Sequence, residues 1–174
     1  MKKVIISVTN DLNTDQRVNK VANSLLNNGF SVLLVGRKNR NCSGPLIRRK
    51  YDCHRFSLIF QKGFFFYFEF NIRLFFFLLF RKCDILLSND LDTLLPNFLV
   101  SKLKRTKLVY DSHELFTEVP ELINRFMVKN VWLWIERVCL SRVKYAYTVS
   151  DSIANYYQKK YNINMSVVRN FPSY

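Results

Sequence analysis

Asp111, Ser112, His113 and Glu114 set a carboxylate, a hydroxyl, an imidazole and a second carboxylate in unbroken succession. An imidazole titrates near neutrality and can donate or accept a proton, so His113 is the member of this run best fitted to acid–base or charge-stabilising chemistry. The run follows directly on Leu108, Val109 and Tyr110, which read as a short buried strand. Open parallel sheets bind ligands in the crevice beyond the carboxyl ends of their strands. The competing assignment is that Asp111 or Ser112 caps a helix beginning near Glu114. His54, the other histidine, lies in no such cluster.

Two more strands end in polar groups. Residues 84–88 are followed by Asn89, Asp90, Asp92 and Thr93, then by a helix reaching about residue 104. Asp90 and Asp92 resemble half of a metal site, but carboxylates at a helix start more simply cap it and complement its dipole. No metal is expected. The first strand, residues 4–8, leads through a polar loop to Asp15 and Arg17 at the opening of a helix. That N-terminus with Arg17 can hold a phosphate or carboxylate. Equally, Asn13 or Thr14 caps the helix and Arg17 is a solvated charge. The loop has no glycine, and Gly29, Gly36, Gly44 and Gly63 form neither GxGxxG nor a Walker A motif. NAD, FAD and P-loop chemistry are thereby disfavoured, and no cofactor is expected.

The elements that position these clusters alternate. Val18, Val21, Ala22, Leu25 and Leu26 recur at helical spacing up to Gly29, a natural C′ residue. Strand two covers residues 31–35, and residues 36–50 form a basic loop. A third strand falls within residues 51–60. Residues 126–144 form an amphipathic helix, residues 146–149 a sixth strand, and Ser150, Asp151 and Ser152 cap a helix from 153 to about 161. Val167 and Val168 form a last short strand. The pattern predicts one α/β domain: a single Rossmann-like, doubly wound, mainly parallel sheet with helices on both faces and right-handed crossovers. Its crevice is lined by the loops after strands one, four, five and six.

The chain has 174 residues, 49% of them apolar, which suits one domain with a real core. Its net charge of +14 implies an anionic partner or surface. Cys42, Cys53, Cys83 and Cys139 have no zinc spacing and read as reduced thiols of a cytoplasmic protein. The apolar run of residues 4–6 is too short for a signal peptide. Residues 64–80 hold most of the 16 phenylalanines, yet Glu69, Asn71 and Arg73 in their middle argue against a membrane span. Glu69 and Arg73 sit four apart and can pair on one helix face. Aromatic surface flanked by Lys62, Arg81 and Lys82 suits an in-plane membrane helix, while a plain core helix is the other assignment. Nucleic acid is not expected, because the aromatics do not interleave with the basic residues.

Taken together, VTNDLNTDQRVNKVANSLLNNGFSVLLVG, CDILLSNDLDTLLP, KLVYDSHELFTEVPEL, AYTVSDSIANYY and VVRNFP resemble, in order and over nearly the whole chain, the N-terminal half of a glycosyltransferase family 4 (group 1) enzyme of the GT-B fold. The resemblance implies residues 1–174 as the acceptor-side domain of a retaining hexosyltransferase using a nucleotide-sugar donor, usually without a metal. Acceptors would be glycans or lipid-linked precursors of cell-surface polysaccharides or glycoconjugates, handled in the cytoplasm, peripherally at the inner face of the cell membrane. By the same resemblance His113 belongs to the reaction centre and faces the donor's sugar and phosphate. Asp111 and Glu114 orient it or bind acceptor hydroxyls, with Ser112 beside them. Asp15 and Arg17 reach the cleft, Asn89, Asp90 and Asp92 touch the acceptor, and Ser150 lies on a cleft-edge loop. Relatives continue into a donor-binding domain with a Glu-x7-Glu signature, which is absent from this chain, so the chain alone is expected to transfer no sugar at a useful rate. A non-catalytic membrane-surface module that binds a partner or acceptor is the alternative.

Overall fold

The computed structural model describes residues 1–39, 45–122 and 125–169. Cys42 and Gly44 lie outside them. Seven strands form one sheet: β1 Lys3–Asp11, β2 Ser31–Arg37, β3 Asp52–Phe56, β4 Ile85–Asn89, β5 Lys107–Ser112, β6 Tyr145–Thr148 and β7 Ser166–Val167. Their order is β3-β2-β1-β4-β5-β6-β7, and every neighbouring pair is parallel. The chain builds outward from β1 to β3, then returns to place β4 on the other side of β1. The order therefore reverses between β1 and β4, the point at which such sheets open a ligand crevice.

Among the described residues five α-helices connect the strands: α1 Gln16–Asn27, α2 Gly63–Leu79, α3 Leu94–Lys104, α4 Phe126–Leu140 and α5 Asp151–Tyr161. Because strand side chains alternate, the apolar runs feed two cores. Val4, Ile6, Val8 and Leu34 meet Val18 and Ala22 of α1 on one face. Ile5, Val35, Leu86 and Tyr110 meet α2, α3 and α4 on the other, with Tyr157 of α5.

On α2, Phe66, Phe70, Leu74 and Leu78 are four apart and fully or nearly buried. Each contributes roughly 1.5–3 kcal/mol by leaving water. The opposite stripe, with Phe64, Phe68, Ile72 and Phe76, stays exposed. The helix is thus a core element and an apolar surface at once. Glu69 and Arg73 pair at 2.7 Å as their spacing predicts. Glu69 also accepts the backbone N–H groups of Ile59 and Phe60, at 2.9–3.1 Å. Among the described residues no helix is long and apolar enough to cross a membrane.

Several local expectations change. β1 runs on to Asp11, with a register shift after Ser7, so part of the anticipated loop is strand. The returning segment lies tightly on Gly36, where an added Cβ would come within 2.4 Å of the Leu12 side chain. Asp15, not Asn13 or Thr14, caps α1: its carboxylate accepts from the Val18 N–H at 3.0 Å. No α-helix starts near Glu114. Two 3-10 turns, Phe116–Glu118 and Pro120–Leu122, occupy that stretch. α4 ends at Leu140, four residues short of the predicted end. Gly29 has φ 80, the left-handed value that its place after α1 requires.

Candidate active site

The reversal between β1 and β4 gathers four side chains from three segments. Arg17 comes from the first turn of α1, Asp90 from the end of β4, and Asp111 and His113 from the end of β5. The Asp111 side chain is 0% exposed. One of its oxygens receives Arg17 Nη2 at 2.7 Å, and the other faces His113 Nε2 at 3.0 Å. His113 Nδ1 lies 3.1 Å from Asp90 Oδ2, and the His113 backbone N–H donates to Asp90 Oδ1 at 2.9 Å. Both ring nitrogens thus face carboxylates, and while both carboxylates are ionised the doubly protonated imidazolium is the form that satisfies both contacts.

The electrostatics agree with that state. Burial works against charge on His113, but the hydrogen bond to Asp111 and the charges of Asp90 and Asp111 outweigh it, and its pKa is raised. Asp90 is pushed up to about 6, mainly by burial, with the His113 charge and N–H pulling back. Behind it, Asp92 is pushed up to about 7 by burial first and by the charge of Asp90 second. Asp92 accepts from the Thr9 hydroxyl, and its carbonyl accepts from Asn71 of α2 at 3.0 Å. The predicted capping role for Asp90 and Asp92 gives way to these contacts: Thr93 stands at the N-cap of α3 with no side-chain cap bond.

Asp90 also bends the backbone. Its φ of 61 and ψ of 174 belong to a region essentially reserved for glycine. Strain of this kind costs on the order of 1–3 kcal/mol and persists where surrounding contacts over-determine it. Here the Asp90 N–H donates to the Asp111 carbonyl at 2.8 Å and the side chain holds His113 twice.

The remaining expected residues lie at varying distances from this cluster. Arg17 is not a solvated charge, its side chain being 16% exposed and paired. Asn89 is buried opposite Asp111 in the β4–β5 register. Ser112 is fully buried, and its hydroxyl donates to the Glu114 carbonyl at 3.0 Å. Asp15 binds Asn10 as well as capping α1. Ser150 caps α5, accepting from the Ile153 N–H, and its hydroxyl lies 2.9 Å from that of Ser152. Glu114 faces a groove between α2 and α4.

Thr9, Asn71 and Tyr147 belong to the site and were missed. Tyr147 stands opposite Asp111 in the β5–β6 register, and burial, then the Asp111 charge, drives its phenol pKa far up. Strand register was the signal for Tyr147; Asn71 had none, being in the middle of an apolar helix. Among the described residues no group of three or more His, Cys, Asp and Glu side chains is arranged to hold a metal ion.

All three titrating groups push stability the same way. Folded Asp90 and Asp92 keep their protons to higher pH than unfolded ones, so their contribution is greatest in acid. It is lost as pH climbs from the ordinary carboxylate range through about 6 and about 7. The His113 imidazolium contributes fully below its ordinary value and is lost as pH rises through its raised one. Urea unfolding is expected to show stability falling from about pH 5 to about pH 8, with a shallower fall in Asp92→Asn. A wild-type profile that rises over this window would contradict the assigned charges.

A seven-stranded parallel sheet with its polar cluster at the strand-order reversal defines a Rossmann-like half of a GT-B fold. The structural likenesses agree. Sucrose-phosphate synthase of Thermosynechococcus elongatus superposes with TM-score 0.65 at 14% identity, over 99% of this chain and 48% of that one. A shorter structure of the same enzyme gives TM-score 0.68 at 10% identity, over 99% of this chain and 90% of that one. Os79 of O. sativa, in complex with UDP and deoxynivalenol-3-glucoside, gives 0.62 at 10% identity, over 93% and 51%. The chain thus spans about half the length of the longer structures it matches. No match is found among curated proteins. Residues 16–171 match Glycosyltransferase Family 4, and the chain belongs to that family.

Proposed function

We propose that this chain is the acceptor-side domain of a retaining glycosyltransferase and works with a donor-binding domain. The donor is a nucleotide sugar. The acceptor is a glycan or lipid-linked glycan in cell-surface polysaccharide or glycoconjugate synthesis. The observation that carries this reading is the His113 ring, 21% exposed and clamped between Asp90 and Asp111 at the end of β4 and β5. The Os79 complex with UDP supports a nucleotide-linked donor. In the transfer, the bond from the anomeric carbon to the donor phosphate breaks. A bond to the acceptor oxygen forms on the same face, and the acceptor proton leaves with the phosphate. A fixed cation beside the crevice complements charge developing on that phosphate, as preorganised donors do. Asp90, its carboxyl pushed up to about 6 by burial, aligns the acceptor hydroxyl.

Peripheral attachment to an anionic membrane on the cytoplasmic side belongs to the same proposal. Exposed Phe64, Phe65 and Phe68 adjoin Lys62, and the protein carries an excess of positive charge.

The test is sugar transfer from a panel of UDP- and GDP-sugars to glycan and lipid-linked acceptors, with the chain alone and with the chain joined to a donor-binding domain of its family. Transfer with retained anomeric configuration is expected only in the joined protein. Turnover by the isolated chain would overturn the division of labour, and inverted product would overturn the mechanism.

A further inference from the structure

At the end of the sheet opposite the crevice, a depression of about 400 Å³ opens between the α3–β5 and α4–β6 connections. Its volume lies within the range of small-molecule sites. Lys102 and Arg105 come from the end of α3, Lys107 from the start of β5, and Arg142 and Lys144 from the approach to β6. All five are exposed. Among the described residues no aspartate or glutamate lines the depression, and none of the five cations pairs with a carboxylate. Asp84, just before the neighbouring β4, turns its carboxylate to the Lys3 N–H at 2.7 Å instead.

Cations at the ends of helices have a simpler use, which is to complement the dipole and bind the last carbonyls. Arg142 does this in part, its Nη1 donating to the Val138 carbonyl at 3.1 Å. The other four are placed differently. Lys102 lies over the Phe98 ring, 5.4 Å from its centroid. Lys107 and Lys144 belong to the sheet side of the depression, at and just before the starts of β5 and β6. Arg105 has φ 56 at the end of α3, a conformation that helices usually give to glycine or asparagine. A cation is set there against backbone preference. Thr106, also in the lining, has a buried hydroxyl oxygen with no hydrogen-bond partner among the described residues. Five like charges around one concavity repel one another, and a multiply charged anion relieves all of them together. The concave shape suits a compact anion, which faces all five, better than a flat bilayer or a long polymer, which meets only the rim.

We propose that this depression binds the phosphates of a small, multiply charged molecule, at a second site remote from the reaction centre. β5 runs six residues from Lys107 to Ser112, so its ends lie roughly 17 Å apart. A molecule bound at the start of β5 takes no part in chemistry at His113. It ties together the bases of β5 and β6, the strands that carry Asp111 and Tyr147, and so stabilises the native fold. The proposal goes beyond sugar transfer and does not depend on it.

The experiment is calorimetric titration of the chain with orthophosphate, pyrophosphate and tripolyphosphate, beside thermal melts in each. One-to-one binding is expected, tightening along the series, weakening as salt is raised, and raising the melting temperature. Lys107→Gln combined with Lys144→Gln should weaken tripolyphosphate about tenfold, each exposed charge contact contributing up to about fivefold. Arg105→Asn suits φ 56 and so preserves the fold, and it should weaken binding by about threefold. Lys38→Gln combined with Lys62→Gln removes the same charge at the crevice end of the domain and should bind as the parent does. Equal weakening in the two double variants shows attraction by net charge alone and overturns the proposal. So does capture of phosphatidylglycerol vesicles or of an oligonucleotide by a chain that does not bind tripolyphosphate, which assigns the basic end to a macromolecular surface. Neither result touches the sugar-transfer reading, which rests on the opposite end of the sheet.

Discussion

His113→Ala, in a protein that joins this chain to a donor-binding domain as proposed, is expected to lower kcat by roughly two to four orders of magnitude, the usual contribution of a positioned acid–base or charge-stabilising side chain. The geometry argues for a large effect. The ring is fixed on both nitrogens, at 3.0 and 3.1 Å, so its charge needs no reorganisation as the reaction proceeds. Removing it also leaves Asp90 and Asp111 as neighbouring carboxylates with less compensation. That would repel a departing phosphate where the proposed mechanism needs one to be attracted. The effect should therefore appear in kcat more than in the acceptor KM. Steady-state kinetics with saturating donor, beside a thermal melt of the same variant, separate lost chemistry from lost folding. A variant that still folds and turns over within threefold of the parent would remove His113 from the reaction centre.

Arg17→Ala is expected to destabilise the domain by about 3 kcal/mol, at the lower end for breaking a buried ion pair. The reason lies in its partner. Asp111 has no exposed side-chain surface and sits at the end of β5, an interior strand, where it cannot turn toward water. Arg17 supplies one of its two charged contacts, at 2.7 Å, and His113 the other. Because His113 remains, the loss falls short of what a wholly unpaired buried carboxylate would suffer. Arg17→Lys should recover only part of it, since a point ammonium does not reproduce the planar guanidinium. Urea midpoints with an unchanged slope measure the loss. A double-mutant cycle with Asp111→Asn isolates the pair, and near-additive losses would show that the two residues do not depend on each other.

Fold and site were legible to different degrees, for identifiable reasons. Strands such as residues 4–8 and 84–88 are apolar on successive residues because both sheet faces are covered, and they stop where polar groups meet the crevice. That contrast is local, so it survives in the sequence. Pairings within the site are not local. Arg17 and Asp111 are 94 residues apart and meet only because β4 and β5 fold back beside β1. Nothing near Asp90 announces its positive φ, since aspartate serves equally well as a cap, and the cap was the simpler assignment. The groove was hidden for another reason. Apolar residues lie on more than one side of α2, so periodicity could not distinguish the face that Phe70 and Leu74 bury from the face that Phe68 and Ile72 expose.

The backbone at Asp90 sets two kinds of selection against each other. Glycine would adopt φ 61 and ψ 174 without penalty, so relief of backbone strain taken alone favours glycine at that position. The same exchange deletes both contacts to His113, so screening for sugar transfer favours aspartate. Position 90 is therefore a poor target for consensus-style stabilisation. An engineer seeking a hardier protein would leave it alone and work on the far side of the sheet, on the C-terminal half of α1 beyond Arg17, where packing can be improved without touching the His113 clamp.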